Sequence, residues 1–169
     1  MEIEDLNKGI ELCIQNAKRL LEDARVLFNN KRYEGSAFLG LTSMEEASKG
    51  LMLREYKRNG RELTKSQWKR KGFLSHSIKL AESMKRRGEY HDKEHPIIKG
   101  TYSKSSFVEW FAKEHTKLRE YSLYVCRDFS SSRWKSPLTN TWLDKGWTEY
   151  ILDGAKLTIK LAEEESTYT

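Results

Sequence analysis

An all-α fold, five helices built on a long antiparallel hairpin, is predicted by three features of this sequence. Apolar residues recur at three- and four-residue steps over long stretches, there is no strand-like alternation, and the two prolines in 169 residues both fall outside the periodic stretches. The length suits one domain, 1–169, with enough chain to bury a core.

Each element follows from its own pattern. Ile3, Leu6, Ile10, Ile14, Ala17, Leu21, Ala24 and Phe28 predict a first helix ending near Asn29-Asn30. A second runs from about Tyr33 to Arg58 and stops at Asn59-Gly60, where glycine can adopt the left-handed backbone that closes a helix. A third, from about Gln67 to Arg87, puts Phe73, Ser77, Leu80 and Met84 on one face and ends at Gly88. A polar connection from Gly88 to Lys104 leads to a fourth helix over roughly Ser105 to Val125, with Phe107, Phe111, Leu118, Tyr121 and Val125 inward. A second connection, Asp128 to Thr141, carries Trp134 and Pro137. The fifth helix follows, with Thr141 and Asp144 at capping-box spacing and Trp147, Ile151, Gly154, Thr158 and Leu161 inward.

Charge and cysteine usage narrow the function classes. Lys and Arg number 31 against 25 Asp and Glu, a formal charge of +6, so polyanions are compatible partners. Cys13 and Cys126 are far apart and lack CxxC spacing, which favours reduced thiols over a disulfide frame or a zinc site. His91 and His95 have a spacing that can hold zinc on a helix, but Pro96 follows at once and no third ligand is fixed, so neither a metal nor another cofactor is expected. The first residues lack the basic and apolar regions of a signal peptide and no segment has the length of a membrane span; a cytoplasmic chain with no membrane partner is expected.

The most informative stretch is Ser43-Met44-Glu45-Glu46-Ala47-Ser48-Lys49. At about 100° per residue, Ala37, Leu41, Met44, Ser48 and Leu51 form one core stripe, which puts Glu45 at its edge beside Phe38 and Met52. A carboxylate there needs a partner, and Lys49, one turn later, is the local candidate; Glu46 falls on the far side. In Phe73-Leu74-Ser75-His76-Ser77-Ile78-Lys79, His76 lies near the Leu80 side of the core with Lys79 one turn further round. The two edge pairs, Glu45 with Lys49 and His76 with Lys79, are expected to meet in one polar groove that also takes in Glu46 and Glu120. Between Arg54 and Lys71 the chain is strongly basic, and Lys69, Arg70 and Lys71 are the expected electrostatic footprint for nucleic acid. Trp110, Trp142, Trp147 and Tyr150 supply more aromatic surface than one small core needs, from which a symmetric homodimer is expected.

The run Asn16 to Ala24, then Tyr33-Glu34-Gly35-Ser36-Ala37-Phe38, Glu45-Glu46-Ala47-Ser48-Lys49 and Phe73 to Lys79, resembles the AbiV family of abortive-infection proteins. Lys117 to Val125, a short polar loop, Trp134 and Pro137 agree with it. The resemblance implies a HEPN-like helical domain in bacterial or archaeal phage defence, commonly dimeric, in a class where many members are metal-independent ribonucleases. Active HEPN ribonucleases carry an arginine followed four to six residues later by a histidine. Here Arg119-Glu120-Tyr121-Ser122-Leu123-Tyr124 resembles that stretch with Tyr124 in the place of the histidine, and a phenol with a pKa of about 10 is a poor general base at neutral pH. Arg70 with His76, and His115 with Arg119 in reversed order, are alternative pairings.

Two functions follow from these readings. One is an antiviral effector that binds RNA and cleaves it without a metal, with Arg119 on the scissile phosphate, His76 moving the 2′-hydroxyl proton and Tyr124 beside them. The alternative is a non-catalytic nucleotide-binding or protein-interaction module in the same defence role, triggered by a phage or host protein.

Overall fold

In the computed structural model, residues 3–60, 63–70, 73–94, 105–121, 126–128, 133–135 and 144–164 are described. Six helices occur among them: α1 (Ile3–Asn29), α2 (Tyr33–Arg58), α3 (Lys65–Arg70), α4 (His76–Glu94), α5 (Ser105–Tyr121) and α6 (Lys145–Glu164). A small antiparallel ribbon, β1 (Cys126–Asp128) with β2 (Arg133–Lys135), lies between α5 and α6 in the chain; Arg127 is opposite Trp134.

The hairpin of α1 and α2 is the spine. Its turn is tight because Lys31 takes a left-handed backbone, φ 57°, and the Arg32 N–H reaches back to the Leu27 carbonyl at 2.9 Å. Ala17, Ala24 and Ala37 are completely buried between the helices, and their small size lets backbones approach. Two hydroxyls then span the gap: Ser36 Oγ donates to the Ala24 carbonyl at 2.8 Å and Ser43 Oγ to the Ala17 carbonyl at 2.7 Å. The stripe Ala37, Leu41, Met44, Ser48 and Leu51 is wholly buried, as its spacing predicts. Gly60, at φ +60°, follows α2 where glycine was expected.

α2 is central, packing on α1, α4, α5 and α6. Gly40 lets α6 approach: a Cβ there would sit 2.8 Å from Ile151 Cγ2. Ser83 on α4 and Thr158 on α6 share a hydrogen bond of 2.7 Å. At the other end of the core Leu6, Ile10, Leu51, Leu53 and Phe73 cluster.

Several expectations need correction. The single helix predicted from Gln67 to Arg87 is two. α3 ends at Arg70, Trp68 stacks on Phe73 with ring centroids 4.4 Å apart, and α4 starts afresh at His76 with the Ser75 hydroxyl accepting the Ile78 N–H at 3.4 Å; with this change of phase Ser77 is exposed. Gly88 does not stop α4, which continues to Glu94 with Gly88 buried inside it. Among the described residues the helix runs to Glu94, and the sequence places Pro96, which cannot continue a helix, two positions further on. At α6, Asp144 is the cap itself, its Oδ1 accepting the Trp147 N–H at 2.9 Å; Thr141 lies outside the described residues. Trp147, expected inward, is exposed.

No helix among the described residues is long and apolar enough to cross a membrane.

Candidate functional site

Glu45 is 2% exposed, deeper than the stripe-edge position suggested, and a carboxylate so placed is tolerated only if cations and hydrogen bonds meet it. They come from other helices. The His76 Nδ1–H donates to Glu45 Oε2 at 2.6 Å, and the Lys79 ammonium reaches the same oxygen at 2.9 Å. Arg119 of α5 brings its Nε to 3.4 Å from Oε1, within ion-pairing range though not aligned as a hydrogen bond. The Arg119 guanidinium lies 4.9 Å from the ring centre of Phe38, one side of which is thereby covered by a cation.

Exposure separates the roles of these groups. Lys79 is buried, whereas the His76 side chain is 44% exposed and that of Arg119 20%. One carboxylate faces two permanent cations and an imidazole, so the cluster carries excess positive charge and opens to solvent through His76 and Arg119. Because Glu45 fixes the proton on Nδ1, the other ring nitrogen, Nε2, is the one with a lone pair in the neutral ring. The cluster begins at the first residue of α4, a helix end that favours anions.

The structure thus brings Glu45, His76, Lys79 and Arg119 together. The local pairing expected of Lys49 is different: Lys49 takes Glu46, three residues back, at 2.6 Å, and Glu46 is half-buried rather than turned to solvent. Tertiary contact wins because Glu45, on the α4 side of α2, is reached by two α4 side chains. Cys13 of α1 lies in the field of the same residues; burial raises its thiol pKa, opposed by Lys49. Lys69 is exposed on α3. The side chains of Arg70, Lys71, Glu120 and Tyr124 lie outside the described residues, as do His95, Phe107, Val125 and Trp142.

A second buried group was not foreseen. Arg87 of α4 is buried, with its guanidinium carbon 5.5 Å from the ring centre of Tyr150 and 6.0 Å from that of Phe111, and Nη1 3.9 Å from Met44 Sδ. Desolvation lowers its pKa. It fits because residue 154 is glycine: a Cβ there would come within 2.5 Å of Nη1. His115 of α5, also buried, stacks on Phe111 and donates from Nδ1 to the Phe111 carbonyl at 2.9 Å rather than joining Arg119. Desolvation, aided by Arg87, pushes its pKa down to about 4. Leu80, Ser83, Met84 and Arg87 share one α4 stripe, a phase relation that places Arg87 inward.

No group of three or more metal-ligating side chains occurs among the described residues. No curated protein and no solved structure matches the chain. The AbiV family model, of the HEPN type, matches residues 5–155, nearly the whole sequence. Matched over that span on a helical fold of the expected class, the chain belongs to the AbiV family of HEPN-type abortive-infection proteins.

Proposed function

We propose that the chain is an abortive-infection effector that binds RNA at the Glu45 cluster and cleaves it without a metal ion. The observation that carries this reading is the Glu45 carboxylate, which holds His76 by Nδ1 at 2.6 Å while lying 3.4 Å from Arg119. A carboxylate that fixes an imidazole by one nitrogen leaves the other as a proton acceptor. In the proposed step, His76 Nε2 takes the ribose 2′-hydroxyl proton, the 2′-oxygen attacks phosphorus, and the bond to the 5′-oxygen breaks. The leaving 5′-oxygen takes a proton from solvent water, and His76 returns its own proton to solvent, giving a 2′,3′-cyclic phosphate and a 5′-hydroxyl. Arg119 stabilises the charge gathering on the phosphoryl oxygens. Lys79 is buried against Glu45 and holds the carboxylate in place.

Incubating the purified protein with RNA in EDTA tests the reading. Cleavage to cyclic-phosphate ends is expected, with Arg119→Ala and His76→Ala each losing about a hundredfold or more in rate while circular dichroism stays unchanged. The second reading, a non-catalytic defence module, is favoured by Tyr124 standing where the resemblance places a catalytic histidine. It expects no cleavage by the wild type under any activator, with His76→Ala and Tyr124→Phe still protecting cells from phage.

A further inference from the structure

Phe38 is a large aromatic side chain that stands outside the core. It is half-buried on α2, and among the described residues it belongs to none of the apolar clusters. The group over its ring is the Arg119 guanidinium, 4.9 Å from the ring centre. Phe38 precedes Glu45 by seven residues, two helical turns, so the ring and the carboxylate share one face of α2. Each follows by two residues a serine whose hydroxyl is bonded to an α1 carbonyl. Both contacts of Arg119 are thus made on one anchored helix.

Arg119 needs such a support. Its Nε is buried and lies 3.4 Å from Glu45 Oε1 without the alignment of a hydrogen bond, so the carboxylate draws the guanidinium in by charge but does not orient it. The other carboxylate oxygen already receives His76 and Lys79, at 2.6 and 2.9 Å. Orientation of a guanidinium comes from aligned hydrogen bonds or from a surface on which it lies, and the Phe38 ring supplies that surface. The two terminal nitrogens of Arg119 carry no hydrogen bond among the described residues and, unlike Nε, reach solvent. A guanidinium held over a ring face keeps its terminal N–H groups free for an oxyanion.

We propose that Phe38 is the positioning residue of the Glu45 site: its ring holds Arg119 so that the terminal nitrogens meet a substrate phosphate. The proposal rests on the reading of that site as one that binds and cleaves RNA.

Phe38→Leu keeps apolar bulk and removes the ring face, whereas Phe38→Tyr keeps the face. In RNA cleavage Phe38→Leu should lower kcat about tenfold or more and change KM by less than about threefold, because charge on the phosphoryl oxygens grows toward the transition state. Phe38→Tyr should stay within about twofold of the wild type. Added to Arg119→Ala, Phe38→Leu should cost less than about twofold more, since the ring acts through the guanidinium. A ring that merely packs would cost the same in both backgrounds, and that result overturns the proposal. So does Phe38→Leu cleaving at the wild-type rate, or Phe38→Tyr failing to restore it while circular dichroism shows an intact fold. By NMR, the Arg119 side-chain protons should be shifted upfield by the ring in the wild type and in Phe38→Tyr, and should return to ordinary positions in Phe38→Leu; unshifted protons in the wild type overturn the contact itself. A wild type that cuts no RNA defeats the cleavage reading alone. Positioning is then decided by the NMR shift and by binding of a fluorescein-labelled 2′-deoxy oligonucleotide, which lacks the attacking hydroxyl. Equal weakening by Phe38→Leu and Arg119→Ala supports the proposal; weakening by Arg119→Ala alone, or no binding by the wild type, overturns it.

Discussion

Two buried charges, the Glu45 carboxylate on α2 and the Arg87 guanidinium on α4, are accommodated by different physics. Around Glu45, two cations and an imidazole converge on one carboxylate, with distances of 2.6 to 3.4 Å. Around Arg87, the cation is packed on aromatic faces and a thioether, and its neighbour His115 is kept neutral. The first arrangement compensates charge with charge and remains open to solvent. The second disperses one charge over polarizable surface and suppresses the next.

The largest effect is expected from breaking the carboxylate. Glu45→Ala leaves Lys79 and Arg119 without their counter-charge, and urea unfolding should show a loss of about 3–5 kcal/mol, the usual consequence of removing one partner of a buried ion pair. Glu45→Gln should lose less, because the amide oxygen still accepts from His76. Equal losses for the two variants would show that packing volume, not charge, decides the fold there.

A smaller effect, dependent on pH, is expected at His115. Its folded pKa of about 4 lies below the ordinary 6.5, so between those values the unfolded chain binds a proton that the native chain refuses. Stability is therefore complete above pH 6.5 and falls as pH drops, by up to about 3 kcal/mol near pH 4. Tm followed from pH 7 to 4 should decline less in His115→Gln than in the wild type. Parallel curves would remove the buried neutral imidazole from the comparison.

The least effect is expected at Lys49, one helical turn along from Glu45. Lys49→Ala removes the partner of Glu46, a pair of near neighbours on one helix and partly exposed, and should change stability by about 0.5 kcal/mol or less. A loss above 2 kcal/mol would mean that Lys49, not Lys79, neutralises Glu45.

The α1–α2 hairpin was legible because a 3.6-residue period runs unbroken through both helices and Gly60 marks the end of the second. The Glu45 cluster was legible in part. Periodicity puts Glu45, His76 and Lys79 at helix edges, but it cannot say which cation crosses to which carboxylate, and the favourable local spacing pointed to Lys49. The region from Gln67 to Glu94 was misread for a reason that can be named: Gly88 is a weak helix stop when buried, whereas Pro96 is a strong one. Arg87 sits in the run Lys85-Arg86-Arg87, where composition says surface. Only the phase set by Leu80 and Met84 singles it out, while its neighbour Arg86 faces Glu82 and Glu55 at 2.7 and 3.0 Å.

The two serine hydroxyls that bridge α1 and α2 act as dowels. Ser36 and Ser43 are seven residues apart, as are the Ala24 and Ala17 carbonyls that receive them, so the helices cannot slide past each other by even one residue without losing both bonds. Glu45, two positions after the second dowel, is therefore part of a fixed rail. The arms that reach it, His76, Lys79 and Arg119, are carried by α4 and α5. The geometry of the cluster is therefore set by how α4 and α5 seat on that rail, and crosslinking α1 to α2 should leave it unchanged.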